Sequence, residues 1–169
     1  MYSNLSKQKG MIKIEIKHLQ RLLHKALLYR LMGKINKLLK NARIPHSKLS
    51  LDTGRARTWF NDAYNNNEDI QLSSLTRVLA VINSKDNIEK YKLSDLFDQK
   101  ILQITTLMMS LGDEEPEYVP AFIESEHELF IDLISDWALL EDNKKLTFQE
   151  KEHFKKIQIM LDKEEKSKC

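Results

Sequence analysis

Four glycines and three prolines in 169 residues leave this chain few places to turn sharply. Tight turns lean on those two residues, because glycine reaches left-handed backbone angles and proline pre-sets φ. A fold of many short strands needs such turns every few residues. Long helices joined by polar loops do not, so the chain is read as all-α. Hydrophobic residues make up 41% of it, which is enough for a core and too much for wholesale disorder.

No stretch of about 18 apolar residues occurs, so neither a membrane-spanning helix nor a membrane partner is expected. The start does not read as a secretory leader, since Lys, Arg and His interrupt the apolar residues from Ile12 to Leu39. The one cysteine, Cys169, permits neither an internal disulfide nor a thiolate zinc set. A cytoplasmic setting is the expectation.

The net charge of +2 hides an asymmetry. Residues 1–60 hold 14 Lys and Arg against Glu15 and Asp52 alone, a balance of +12. Residues 61–90 carry −2, and residues 91–169 carry −8. A basic stretch of that size is the electrostatic footprint of nucleic-acid binding. It is equally what a basic half docked on an acidic half, or a solvated basic helix, produces.

Along the chain, residues 1–10 read as a polar, disordered lead. Met11 to Ala42 reads as helix, with Gly33 as a possible break and a short strand over Ile12–Ile16 as an alternative start. Pro45 suits a helix start, residues 46–53 a short helix, and Gly54 its left-handed end. A second short helix is expected over Ala56–Tyr64, then a turn at Asn65-Asn66-Asn67. An amphipathic helix follows with Leu72, Leu75, Val78, Leu79 and Ile82, capped by Ser73 or Ser74, and then a polar loop over 83–92. Ser94 is the expected cap of a helix reaching Leu111. Gly112 opens a connector that Pro116 and Pro120 keep extended. Helices are expected from Ser125 to Leu140 and beyond a Thr147–Glu150 capping box.

The run Leu49-Ser50-Leu51-Asp52-Thr53-Gly54-Arg55-Ala56-Arg57-Thr58-Trp59-Phe60-Asn61 carries the most specific pattern. Residues 33–83 resemble the phage-repressor (Cro/Xre-like) family of helix-turn-helix domains. Leu49 matches the core leucine, Ser50 the small residue, Gly54 the turn glycine and Phe60 the apolar lock, with Leu72 to Ile82 as the closing helix. Ser50 stands where the family usually has alanine, and Leu51 where it has a polar residue. Ala63-Tyr64 replaces an apolar residue followed by Glu. The resemblance implies an all-α chain built of an N-terminal helix, a lambda-repressor-like domain and a C-terminal helical module.

The resemblance also implies a site. A recognition helix enters the major groove with its N-terminal residues. Arg57, Thr58, Asn61 and Asp62 are the expected base contacts, since Arg suits guanine and Asn suits adenine. Asp62 either accepts from cytosine or orients Arg57 or Arg55. Arg57 and Asp62 also make an ordinary surface pair. His46, Ser47 and Lys48 start the preceding helix and, with Arg43 and Arg55, are the expected phosphate contacts. Trp59 is either a core-edge or partner contact, or a residue that stacks in the groove.

Other motifs carry less. Asp52-Thr53-Gly54 matches an aspartic-protease tripeptide, but that chemistry needs two such carboxylates on a β-rich fold. His127-Glu128 lacks the second histidine of a zinc helix, since Ile131 stands there. His18, His24 and His153 show no ligand spacing. Glu124, Glu126, Glu128 and Asp132 read as acids at a helix start. No enzyme, cofactor or metal is expected.

The expectation is therefore a sequence-specific transcriptional regulator, a repressor, of a bacterium, phage or mobile element. Its partner is double-stranded DNA and its form a homodimer. Residues 11–90 would bind DNA. Residues 91–169, the acidic helical module, would pair two copies or take a protein or peptide partner. The alternative is a protein-binding antagonist, like the phage-encoded inhibitors that include some anti-CRISPR proteins, with its helix-turn-helix autoregulatory or adapted.

Overall fold

A computed structural model describes residues 13–84, 90–112 and 118–168. Every regular element among them is helical, eight α-helices and one 3-10 helix, and no strand occurs among the described residues. The lead expected over residues 1–10, Met11 and Ile12, part of the 83–92 loop and most of the connector after Gly112 lie outside the described residues, while residues 13–15 form no strand and the helix expected from Met11 begins at Ile16.

Helix α1 (Ile16–Ala42) runs unbroken through Gly33. A glycine in a helix interior costs about 0.5–1 kcal/mol relative to alanine. That is too little to break a helix anchored by the buried Met32 and Ile35. A Cβ placed on Gly33 would meet nothing within 4 Å. Gly33→Ala is therefore expected to raise stability by about 0.5–1 kcal/mol in a denaturant melt. A loss of stability would show that the position is not open.

By contacts the chain forms two compact units. Leu27–Leu102 makes one, and the residues up to Ala26 and from Gln103 onward make the other. In Leu27–Leu102, α1 ends where Arg43 turns left-handed, at φ 56°. The Arg43 and Ile44 amides close on Lys40 O at 3.1 Å and Leu39 O at 2.9 Å. Pro45 then leads into α2 (His46–Asp52), followed by α3 (Trp59–Asn66) and α4 (Leu72–Ser84). Their buried faces share one core with Leu31, Met32, Ile35 and Leu39 of α1, including Leu49, Phe60, Ala63, Leu75, Val78 and Ile82.

That core extends past residue 90. Leu96, in the 3-10 helix Leu93–Leu96, and Ile101, at the start of α5 (Gln99–Leu111), are fully buried in it. The sequence reading divided the chain at 90/91, whereas these two side chains tie residues 91–102 to the preceding helices. Asn83 helps, pairing both ways with the Tyr91 backbone at 2.8 Å. The cap of α5 is also not Ser94. Asp98 Oδ1 accepts the Ile101 amide at 2.9 Å, and Lys34 lies 3.2 Å from its other oxygen. That amide bond and Lys34 hold the Asp98 carboxyl below its ordinary value, against the opposing effect of burial. Helix α4 starts at Leu72, so Ser73 and Ser74 sit inside its first turn.

The second unit holds the start of α1, the rest of α5, α6 (Val119–Ser125), α7 (His127–Asp142) and α8 (Phe148–Lys168). Pro120 lies in the first turn of α6, where its missing N–H costs nothing, instead of keeping a connector extended. Phe122, Phe130, Trp137 and Phe154 form a series of tilted and edge-on rings 6.1–6.5 Å apart. Trp137 Nε1 donates to Leu22 O of α1 at 2.8 Å. Lys25 Nζ meets Glu150 Oε2 at 2.5 Å and Lys145 O at 2.6 Å. The Thr147–Glu150 capping box forms as read from the sequence. His18 and His153 are buried with ring centroids 4.5 Å apart. Burial, together with His153, holds the His18 imidazole below its ordinary value.

The division redistributes the charge. Leu27–Leu102 contains 13 basic and eight acidic residues, a balance of +5, and the remainder of the chain carries −3. The basic residues before Ala26 belong with the acidic part, where Lys25 neutralises Glu150.

Candidate nucleic-acid interface

The segment from α2 to α3 is built around Gly54, whose φ of 78° is left-handed. Its amide closes on Leu51 O at 3.0 Å, and the Arg55 amide closes on Ser50 O at 2.9 Å. These bonds satisfy the last carbonyls of α2 and reverse the chain. The glycine does here what its place in the sequence implied.

Ser50 does more than pack. It is fully buried. Its hydroxyl donates to His46 O at 2.9 Å and accepts the Phe60 amide at 3.0 Å. Phe60 is the second residue of α3, so its amide has no intrahelical partner. Thr58, which precedes α3, makes no side-chain cap bond. Ser50 thus caps α3 from the neighbouring helix, a role alanine cannot fill. The sequence signal was a hydroxyl at a core position, since a buried polar group must find a partner. Ser50→Ala strands the Phe60 amide and is expected to cost about 1–3 kcal/mol in thermal or denaturant unfolding.

Helix α3 begins at Trp59, three residues later than the sequence implied. Ala56 O accepts the Trp59 amide in a preceding turn, which holds Arg57 and Thr58 outside the helix. Both side chains are exposed, as are Asn61 and Asp62. The helix also runs on to Asn66 and ends at Asn67, left-handed at φ 53°, rather than at a turn over the whole Asn run. Asparagine tolerates that backbone better than most residues. The extension puts Asn65 in line with Thr58, Asn61 and Asp62, four exposed polar residues at helical spacing, opposite the buried Phe60 and Ala63. Asn65 was missed because its run looked like a turn.

The expected phosphate contacts divide. Ser47 and Lys48 are exposed on α2, and Arg43 is exposed on the turn before it. Arg55 is half-buried and engaged. Its Nη2 donates to Ser74 Oγ at 2.5 Å, and its guanidinium lies 4.6 Å from the Trp59 ring centroid. Trp59 packs against the core, edge-on to Phe60 at 6.1 Å, with Arg55 over its ring.

His46 is half-buried in a polar chain that sequence reasoning did not anticipate. Its Nε2 lies 2.7 Å from Asn36 Oδ1 of α1, and its Nδ1 lies 3.3 Å from Asn61 Oδ1 of α3. Asn36 Nδ2 in turn donates to the Tyr64 hydroxyl at 3.4 Å. Phe60 and Tyr64 flank the imidazole edge-on, at 4.8 and 5.6 Å between centroids. The available signal was Asn36, a polar residue between the buried Ile35 and Leu39 positions of α1.

The arrangement presents carboxamides and one carboxylate on an open helix face, with the Arg57 guanidinium and Thr58 hydroxyl just before it and the Lys48 ammonium and Arg43 guanidinium exposed on and before α2. Such groups can bond base edges and phosphates. Among the described residues no cluster of three metal-ligating side chains occurs, and no helix is long and apolar enough to cross a membrane. Comparison of the chain with family models, curated proteins and solved structures returns no match.

Proposed function

We propose that this chain is a sequence-specific binder of double-stranded DNA, a transcriptional regulator of Cro/Xre-like helix-turn-helix type that acts as a repressor. The observation that carries the reading is the exposed polar stripe Asn61, Asp62 and Asn65 on α3, preceded by Arg57 and Thr58, on a helix capped from α2 by Ser50. A reading helix needs an open polar face and a rigid seat. The +5 balance of Leu27–Leu102 supplies the sequence-independent attraction to phosphate. Lys48, Ser47 and Arg43 are the proposed phosphate contacts. Arg55 is proposed to hold Trp59 and α4 in place. Two copies would read half-sites about one helical turn apart.

A duplex carrying the DNA upstream of its own gene should shift at nanomolar to sub-micromolar protein, with affinity falling steeply as salt rises. Arg57→Ala should cut discrimination between the best and a mismatched duplex by about 1–3 kcal/mol. Lys48→Ala should weaken all duplexes alike. The absence of any shift on a genomic fragment pool in low salt would overturn the reading.

A further inference from the structure

We propose that His18 and His153 form an acid-sensitive latch between the start of α1 and α8. Both residues are more than nine-tenths buried, at 7% and 5% exposure, with ring centroids 4.5 Å apart. The acceptors beside them fix where each ring carries its proton. His18 Nε2 faces Glu15 Oε2 at 3.3 Å, and His153 Nδ1 donates to Gln149 O at 2.7 Å. An ionised carboxylate and a backbone carbonyl only accept, so each N–H is directed at its partner and the other nitrogen of each ring is bare. Those two nitrogens, His18 Nδ1 and His153 Nε2, are buried and have no hydrogen-bond partner among the described residues.

A second proton on either ring therefore creates a cation with a buried, unpaired N–H beside another imidazole. At His18, burial opposes that charge most. His153, Lys17 and Arg21 oppose it too, and Glu15 favours it. Opening the latch hydrates both rings and removes the obstacle. The open state thus takes its proton at the ordinary imidazole value, and the closed state only below it. The closed state is fully favoured above the ordinary value and loses ground as pH falls from there toward the lowered one. Contacts further along α1 confine the opening, since Leu22 O is held by Trp137 and Lys25 by Glu150. What is released is the first turns of α1, with the Lys13 carbonyl that Lys156 of α8 holds at 3.2 Å.

Hydrogen exchange of the full chain, read peptide by peptide by mass spectrometry and corrected for intrinsic rates, tests the latch. Between about pH 7.5 and about pH 5.5, protection of residues 16–21 and 150–157 should fall about tenfold, the loss when one imidazole titrates in the open state and not in the closed one. Helix α4 should keep its protection. His18→Phe with His153→Phe replaces both rings by ones that take no proton, and should hold the same protection at both pH values. A tenfold fall that survives this double substitution would overturn the proposal. So would, in the unaltered protein, protection that stays level or an equal loss in α4. Those last two outcomes are read without any variant and stand even if the doubly substituted chain fails to fold.

Discussion

Trp137→Ala is expected to lower the free energy of unfolding by about 3–5 kcal/mol, the range for deleting a large buried aromatic. Trp137 is fully buried. It stands between Phe130 and Phe154 in the aromatic series, so its removal leaves a cavity with ring walls on both sides. The indole N–H contributes separately through its bond to Leu22 O. Trp137→Phe keeps a ring and loses that bond along with part of the volume, so it should cost roughly half as much. Chemical denaturation of both variants checks the order. A Trp137→Ala cost below about 1 kcal/mol would mean the site is not the packed core described, since domain stabilities of 5–15 kcal/mol make a loss of 3–5 unmistakable.

The second large effect is electrostatic. Lys25→Met should cost about 3 kcal/mol, because removing one partner of a buried ion pair leaves the other charge uncompensated. The Glu150 side chain is only 3% exposed, and Lys25 Nζ is its cation. The loss falls at the low end of the usual 3–5 kcal/mol because the Thr147 amide still donates to the same carboxylate oxygen, at 3.3 Å. Adding Glu150→Gln to Lys25→Met should recover most of the loss. A neutral amide needs no cation, and its carbonyl oxygen can still accept from Thr147. A double-mutant cycle by denaturant melts measures the coupling directly. If the two substitutions simply add, the pair is not the reason Glu150 tolerates burial.

The features legible in the sequence were those decided within a few residues. Thr147 and Glu150 cap each other across three positions, and Gly54 is the residue a left-handed turn requires, so both stood out as written. Scarce glycine and proline excluded a strand-rich fold for a similarly direct reason. Several misplacements involve partners distant in sequence, although those at the two ends of α3 are local. Residues 91–102 join the earlier helices because Leu96 and Ile101 reach a core assembled from α1 to α4. No local pattern announces that. Pro120 is compatible with both an extended linker and a first helical turn, and packing of Val119 and Ile123 decides for the helix. Asp98 outcompetes Ser94 as a cap because it also meets Lys34, 64 positions earlier.

The candidate interface was legible in the same uneven way. Arg57, Thr58, Asn61 and Asp62 were all named, and all are exposed on or just before α3. The side chains that hold the face in shape were not recognised. Ser50 looked like a small packing residue, Arg55 like a phosphate contact, Tyr64 like a departure from the family pattern, and Asn36 was not singled out. Each acts through a bond to another helix, and periodicity within one helix carries no information about such a bond.

The two tryptophans fall one in each contact unit. Trp137 is sealed in the core with its N–H on a carbonyl, so its emission should be blue-shifted and protected from a soluble quencher. Trp59 is half-open beneath a guanidinium, one residue from the proposed reading face, so its emission answers to whatever docks there. Replacing either by phenylalanine leaves a chain that glows from one unit alone, and the melting of each unit can then be followed by light without attaching a label.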